Sequence, residues 1–271
     1  MLVYPAGLDV SSHDLGMLTR VLRAHRVRIG TPWRALSARE QALLVLAYLR
    51  KNETYHALAA GFGIGVATVH RYIHEALDLL AVRAPTLAQA VAKAGRKAYT
   101  VLDGTIIRTD RVRMTKRGAD KEFYSGKVHH HGMNVQVIAG PFGELLYASP
   151  AIPGARHDIA CARAHHLPQA LATLTSAGRL VLADRGYTGI GSGISTPIMA
   201  TGRDRTTGAF TRRVLSANEK AVNAAHGRLR APGERANAQL KAWRALRQLR
   251  LSPEKTTEVV HAVTALITAG H

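Results

Sequence analysis

At residue 98 the spacing of apolar residues changes, and that change limits what the chain can fold into. Before it, apolar residues recur at steps of three and four, the period of a helix with one buried face. After it they gather into short runs or alternate, the pattern of strands. The chain is therefore expected to hold an all-α domain over residues 1–97 and an α/β domain, a mixed sheet flanked by helices, over residues 98–271.

Within the first part, "LSAREQALLVLAYLRK" opens on Ser37 with Glu40 three residues later, the spacing of a capping box ahead of an apolar run. A second short helix is expected over "ETYHALAAGF". "GFGIG" then puts Gly61, Gly63 and Gly65 within five residues, which marks a turn. In the next helix, "VATVHRYIHEALDLL", Val66, Val69, Ile73, Leu77 and Leu80 form the buried stripe. Thr68, His70, Arg71 and His74 occupy its other faces near the start. Helix, glycine turn, helix over about residues 53–80 is the layout of a helix-turn-helix, whose second helix enters the major groove by its N-terminal part. An ordinary αα-hairpin has the same outline, so charge has to arbitrate. "APTLAQAVAKAGRKA" reads as a connecting helix.

The chain carries 37 Lys and Arg against 18 Asp and Glu, a net charge of +19. Folding does not need such an imbalance; self-repulsion opposes it, and nucleic acid is the commonest partner that relieves it. No apolar run is long enough to span a bilayer, no free-standing basic amphipathic helix or lipidation motif is present, and the first residues lack the pattern of a signal peptide. A membrane is therefore not the expected partner. The single cysteine, Cys161, excludes intramolecular disulfides and cysteine-based zinc sites and is expected to pack as a small apolar residue. These features describe a cytoplasmic protein that faces a polyanion.

In the second part, strands are expected over "AYTVLDG", "GMNVQVIAG", "GELLYASPAI", "RLVLADRGY" and "TPIMA", with the turn "GPFGE" joining the second and third as a hairpin. "HDIACARAHHLPQALATL" reads as one helix. A basic loop, "TGRDRTTGAFTRR", leads into a helical tail that Pro232 and Gly233 interrupt, with Glu234 opening its second half.

Acid is scarce here, yet two apolar strands each end on an aspartate, Asp103 and Asp184. Residues at the same ends of neighbouring strands converge on one site. Glu234, on a late helix, is a third carboxylate able to pack across the sheet. Three carboxylates brought together need a cation, and oxygen donors favour Mg²⁺ or Mn²⁺. Two such ions about 3.5–4 Å apart suit in-line displacement at a phosphodiester. Singly, each of these carboxylates reads as a turn former or cap. Asp158, in "ARHDIA", competes for the second position, although helix capping accounts for it without chemistry. In "HHH", His129 to His131, adjacent strand residues face opposite ways and do not converge on one ion. With Lys127 they are read as polar groups near a nucleic-acid path.

"VLDGT", "YSGKVHHHGMNVQV", "IPGARHD", "LADRGY" and "GERANAQLK" occur in an order that resembles the DDE transposases of bacterial insertion sequences, in the group of DDE-superfamily endonucleases that includes the Harbinger-type enzymes. The resemblance covers about residues 36–250. It implies a ribonuclease H-like catalytic fold, two divalent ions, and DNA cleavage and strand transfer at element ends. Asp103, Asp184 and Glu234 are then the catalytic and metal-binding carboxylates. Arg230 and Lys241 match a Tyr-x2-Arg-x3-Glu-x6-Lys signature, in which Gly227 stands where relatives carry Tyr. Lys241 is placed to reach a phosphate near the ions. The implied partner is double-stranded DNA, both element ends and target, gripped by a homodimer in the bacterial nucleoid. Thr68, His70, Arg71, His74 and Lys127 are the candidate DNA-binding residues. Two rival readings are a transposase-derived DNA-binding regulator without catalysis and a metal-dependent endonuclease that cuts without joining.

Overall fold

A computed structural model of the chain describes residues 9–31, 33–110, 119–203, 210–247, 249 and 252–270. Residues 204–209 of the expected basic loop lie outside the described residues.

Five helices come first. α1 (Ser12–Arg28) starts where the Ser11 side chain accepts from the Asp14 amide. α2 (Ala38–Lys51) begins with the expected capping box, the Ser37 hydroxyl and the Glu40 carboxylate each satisfying the other's amide. α3 (Tyr55–Phe62) ends on Gly63 at φ +64°, a left-handed cap that glycine adopts without strain. α4 (Val66–Ala81) follows directly, burying Val69, Tyr72, Ile73, Ala76, Leu77 and Leu80. Its stripe agrees with the period-3.6 reading. α5 (Leu87–Ala94) is the connector, opened by a second capping box at Thr86 and Gln89.

One partly buried acid ties this bundle together. Glu75 on α4 receives both terminal nitrogens of Arg34 at 2.8 and 3.2 Å, the Gln41 amide of α2 at 2.8 Å, and the His25 ring of α1 at 3.2 Å. Three segments are fixed by one carboxylate whose charge is matched, which is the condition for tolerating it below the surface.

The sheet centres on β1 (Tyr99–Arg108). β1 runs antiparallel to β3 (His130–Ala139) and parallel to β6 (Leu180–Ala183). β3 also pairs with the short β2 (Tyr124–Ser125), β4 (Leu145–Ala148) and β5 (Ile152–Pro153). The hairpin turn at 140–144 forms as expected, with Gly143 at φ +80°.

Four expectations are corrected. The first strand does not end on Asp103: it continues to Arg108, so Asp103 sits in mid-strand opposite Val137. Gly104 is no turn. A Cβ there would lie 2.4 Å from Asp158 Oδ1, so glycine lets a carboxylate approach the strand, and Thr105, Ile106 and Ile107 sustain extension. The single helix expected from 157 divides into α6 (Asp158–Ala164) and α7 (Leu167–Ser176). His166 turns left-handed at φ 55° between them, and Pro168 starts the second helix. Residues 196–200 form no strand. The Asn223 side chain takes both the Ile198 amide (2.8 Å) and its carbonyl (2.9 Å), so that backbone needs no neighbouring strand. The nearby pair is β7 (Thr201–Arg203) with β8 (Phe210–Arg212). Asp158, finally, does not cap α6: His157 holds the N-cap position, and the Asp158 carboxylate is used elsewhere.

The tail forms α8 (Ala217–Arg230) and α9 (Gly233–Ala242), broken at Pro232 and Gly233 as expected. A further helix, α10 (Pro253–Ala269), was not foreseen. It packs on α4 and β4, burying Val259, Val260, Val263 and Leu266. One apolar cluster joins the N-terminal helices, α9 and α10 to the Val101 and Ile107 face of β1. A second, with Leu102, Leu171 and Tyr187, fills the opposite face.

Candidate active site and nucleic-acid interface

Alternation along β1 turns Leu102 and Gly104 to one face and Asp103 to the other. Asp103 is 8% exposed. Its Oδ1 accepts from the Gly104 amide at 3.0 Å and lies 3.7 Å from the Arg230 guanidinium, and its Oδ2 accepts from Asn237 Nδ2 at 2.9 Å. α9 reaches this strand closely because Gly233 brings no side chain: a Cβ there would stand 2.7 Å from Val101. Asp184 follows the end of β6, the strand beside β1, and its Oδ1 accepts from the Gly186 amide at 2.8 Å. Burial raises the Asp103 pKa; the Arg230 charge opposes that rise and the Asp184 charge adds to it. Two carboxylates from segments far apart in the chain thus share one electrostatic neighbourhood.

Asp158 occupies the other side of this neighbourhood. It accepts from Asn134 Nδ2 at 2.7 Å and from the Lys127 amine at 2.8 Å. Asn134 in turn accepts from Gln136, and Gln136 from the Tyr187 hydroxyl, each at 2.7 Å. The chain Tyr187–Gln136–Asn134–Asp158–Lys127 runs from the core to a half-exposed amine. Burial works against the charge on Lys127, but the carboxylates of Asp158, Asp184 and Asp103 more than offset it and leave its pKa raised. Burial pushes Tyr187 well above the usual phenol range, and the same three aspartates push it further. Lys241 is lowered by burial, with the Asp103 charge opposing and Lys127 repelling.

Of the expected catalytic residues, then, Asp103, Asp184, Arg230 and Lys241 meet around one patch. Lys127, exposed at the surface, meets them through Asp158. Glu234 stands exposed in the first turn of α9, one turn before Asn237. Among the described residues no three His, Cys, Asp or Glu side chains form a group able to hold a metal ion. The donor chemistry nonetheless suits a hard divalent cation: Asp103 and Asp184 offer carboxylate oxygens, and Asn237 Oδ1, buried beside Asp103, has no hydrogen-bond partner. Three members of this patch were missed from sequence. Asn134 and Gln136 were legible as polar residues at alternate positions of an apolar strand. Asn237 left only its place three residues after Glu234.

At the helical end, His70 and Arg71 are exposed and Thr68 and His74 half-buried on the first turns of α4. Arg71 donates to the Thr68 hydroxyl at 3.2 Å, and the His70 and His74 rings lie 4.2 Å apart. Burial lowers the His74 pKa, with His70 adding to it. Among the described residues, no helix is long and apolar enough to cross a membrane.

Comparison with known proteins agrees with both ends of the molecule. The family described as "DDE superfamily endonuclease" matches residues 102–268, more than half of the chain, and "Helix-turn-helix of DDE superfamily endonuclease" matches residues 34–86. A protein of Streptomyces albus G described as "Putative transposase for insertion sequence element IS112" is 28% identical over 261 residues, covering 95% of this chain and 89% of that one. No solved structure matches the chain. With its paired aspartates inside the endonuclease match and its α3–α4 unit inside the helix-turn-helix match, the chain belongs to the DDE superfamily of endonucleases.

Proposed function

We propose that this protein is an insertion-sequence transposase that binds the terminal inverted repeats of its element, cuts the DNA there, and transfers the freed end to a target. The observation that carries the reading is a buried Asp103 within the electrostatic reach of Asp184 and ringed by Arg230, Lys127 and Lys241, in a chain of net charge +19. Division of labour falls at residues 97–98, with a helix-turn-helix ahead of a ribonuclease H-like catalytic part. Support for that fold is the central strand β1, antiparallel to β3 and parallel to β6.

Asp103 and Asp184 would hold Mg²⁺ or Mn²⁺, two ions in all, joined by Glu234 from the first turn of α9. Bound there, the ions would withdraw charge from the attacking and leaving oxygens of a phosphodiester. Arg230 opposes the effect of burial on Asp103, and Asn237 fixes the carboxylate's orientation through Oδ2. Lys241, on the same helix, offers a cation to a phosphate at the site. Lys127 holds Asp158 against the strand, leaving Asp158 a positioning residue. Thr68, His70, Arg71 and His74 face the major groove, and two DNA ends call for two copies of the chain.

The test uses duplexes carrying the DNA that flanks the gene. The wild type is expected to nick them and join the ends only with Mg²⁺ or Mn²⁺. Asp103→Ala and Asp184→Asn should lose nicking and keep DNA binding. Undiminished nicking by Asp103→Ala removes the reading, nicking without joining leaves an endonuclease, and binding without nicking by the wild type leaves a regulator. If Asp158→Asn abolishes nicking while Asp184→Asn does not, the second aspartate is Asp158.

A further inference from the structure

The chain has two tryptophans and treats them oppositely. Trp243 is 2% exposed under the Arg50 guanidinium, which lies 3.7 Å from its ring. Trp33 is 90% exposed. An aromatic side chain left in water forgoes the largest apolar burial available to any residue, so its placement asks for a partner.

Trp33 lies in the segment between α1 and α2, on the rim of a groove of about 400 Å³ whose other side is the first turns of α4. The groove has a fixed wall. Arg34 is clamped by both oxygens of Glu75 and lies over the Tyr72 ring, 5.8 Å from its centre. Arg71, across the groove, donates to the Thr68 hydroxyl, and among the described residues no carboxylate lines the cavity. An exposed indole, a preformed cleft and an arginine opposite make a surface that is apolar and cationic at once. Deoxyribose and base edges next to a phosphate have the complementary chemistry. The match to a helix-turn-helix begins at residue 34, so Trp33 stands just outside it.

We infer that Trp33 is a DNA contact: its indole packs on the sugars and base edges of one strand of duplex DNA, alongside the stretch that α4 faces, while Arg71 takes the adjoining phosphate. This rests on the helix-turn-helix reading above. It adds a non-electrostatic anchor to a surface otherwise governed by charge.

The full chain is titrated at low salt with a short random-sequence DNA duplex while tryptophan emission and its quenching by acrylamide are followed. Trp33→Phe leaves Trp243 as the sole emitter and serves as the reference. Saturating duplex is expected to shield the wild-type emission from acrylamide and to leave the Trp33→Phe signal unchanged. Trp33→Ala is expected to weaken duplex binding about tenfold. The slope of log affinity against log salt should stay the same, because no phosphate contact is removed. Duplex binding that leaves Trp33 fully quenchable overturns this inference and spares the helix-turn-helix reading. No duplex binding by the wild type overturns both. Concentration-dependent shielding without DNA means that a second copy covers Trp33, and equally overturns the inference.

Discussion

Asp103 is held in a conflict that ordinary stability would remove. It is buried, near a second carboxylate, and its helix-side neighbour Asn237 carries an oxygen with no partner. Replacing it by asparagine relieves the burial of charge, and the new amide can donate to Asn237 once that side chain rotates. Asp103→Asn is therefore expected to melt higher than the wild type at pH 7 and to lose any gain in Tm that millimolar Mg²⁺ or Mn²⁺ gives the wild type. A lower Tm, or an undiminished response to the ions, would show that the carboxylate serves the fold. Neighbouring residues explain why only part of this site was legible. Asp103 and Asp184 stand out as acids in apolar strands. Asp158 looked like a cap, because the residues that claim it, Asn134 and Lys127, lie in other segments and only tertiary contact brings them to it.

Elements with local causes were readable, and those set by distant partners were not. The capping box at Ser37, the stripe of α4 and the break at Pro232 all arise from interactions within a few residues. The passage of β1 through Gly104 arises from Asp158, and the absence of a strand at 196–200 from Asn223 on α8. α8 offers a test at this scale. Gly227 lies inside the helix with no atom within 4 Å of where a Cβ would stand. Alanine there has nothing to displace and removes glycine's backbone entropy penalty, so Gly227→Ala should stabilise the protein by about 0.5–1 kcal/mol in urea unfolding. Destabilisation would mean that the open space at Gly227 is needed by the folded chain.

For the whole molecule, the expected division at residue 97 separates two kinds of secondary structure, but the core does not observe it. α10 lies against α4 of the first part and β4 of the second. His261 on α10 and His165 near β4 have pKa values lowered by burial, as does His74 on α4. A histidine lowered on folding contributes stability that is complete above its unfolded pKa, about 6.5, and is lost as pH falls below that value and through the lowered folded pKa. Asp103, raised on folding, works in the opposite sense, from the ordinary carboxylate value upward. Tm should thus fall from pH 7 to pH 5.5, and His261→Gln should flatten that fall; a slope as steep as that of the wild type would exclude His261 as a source.

The seating of α10 has a consequence for the order of events in a cell. α4, the helix proposed to face DNA, is complete by residue 81, yet the apolar surface behind it is covered by residues near 260. A ribosome must make the whole sheet-bearing part before that surface can be closed, so a nascent or prematurely terminated chain presents an unfinished reading head. Newly made protein would gain its grip on DNA only once α10 has left the ribosome.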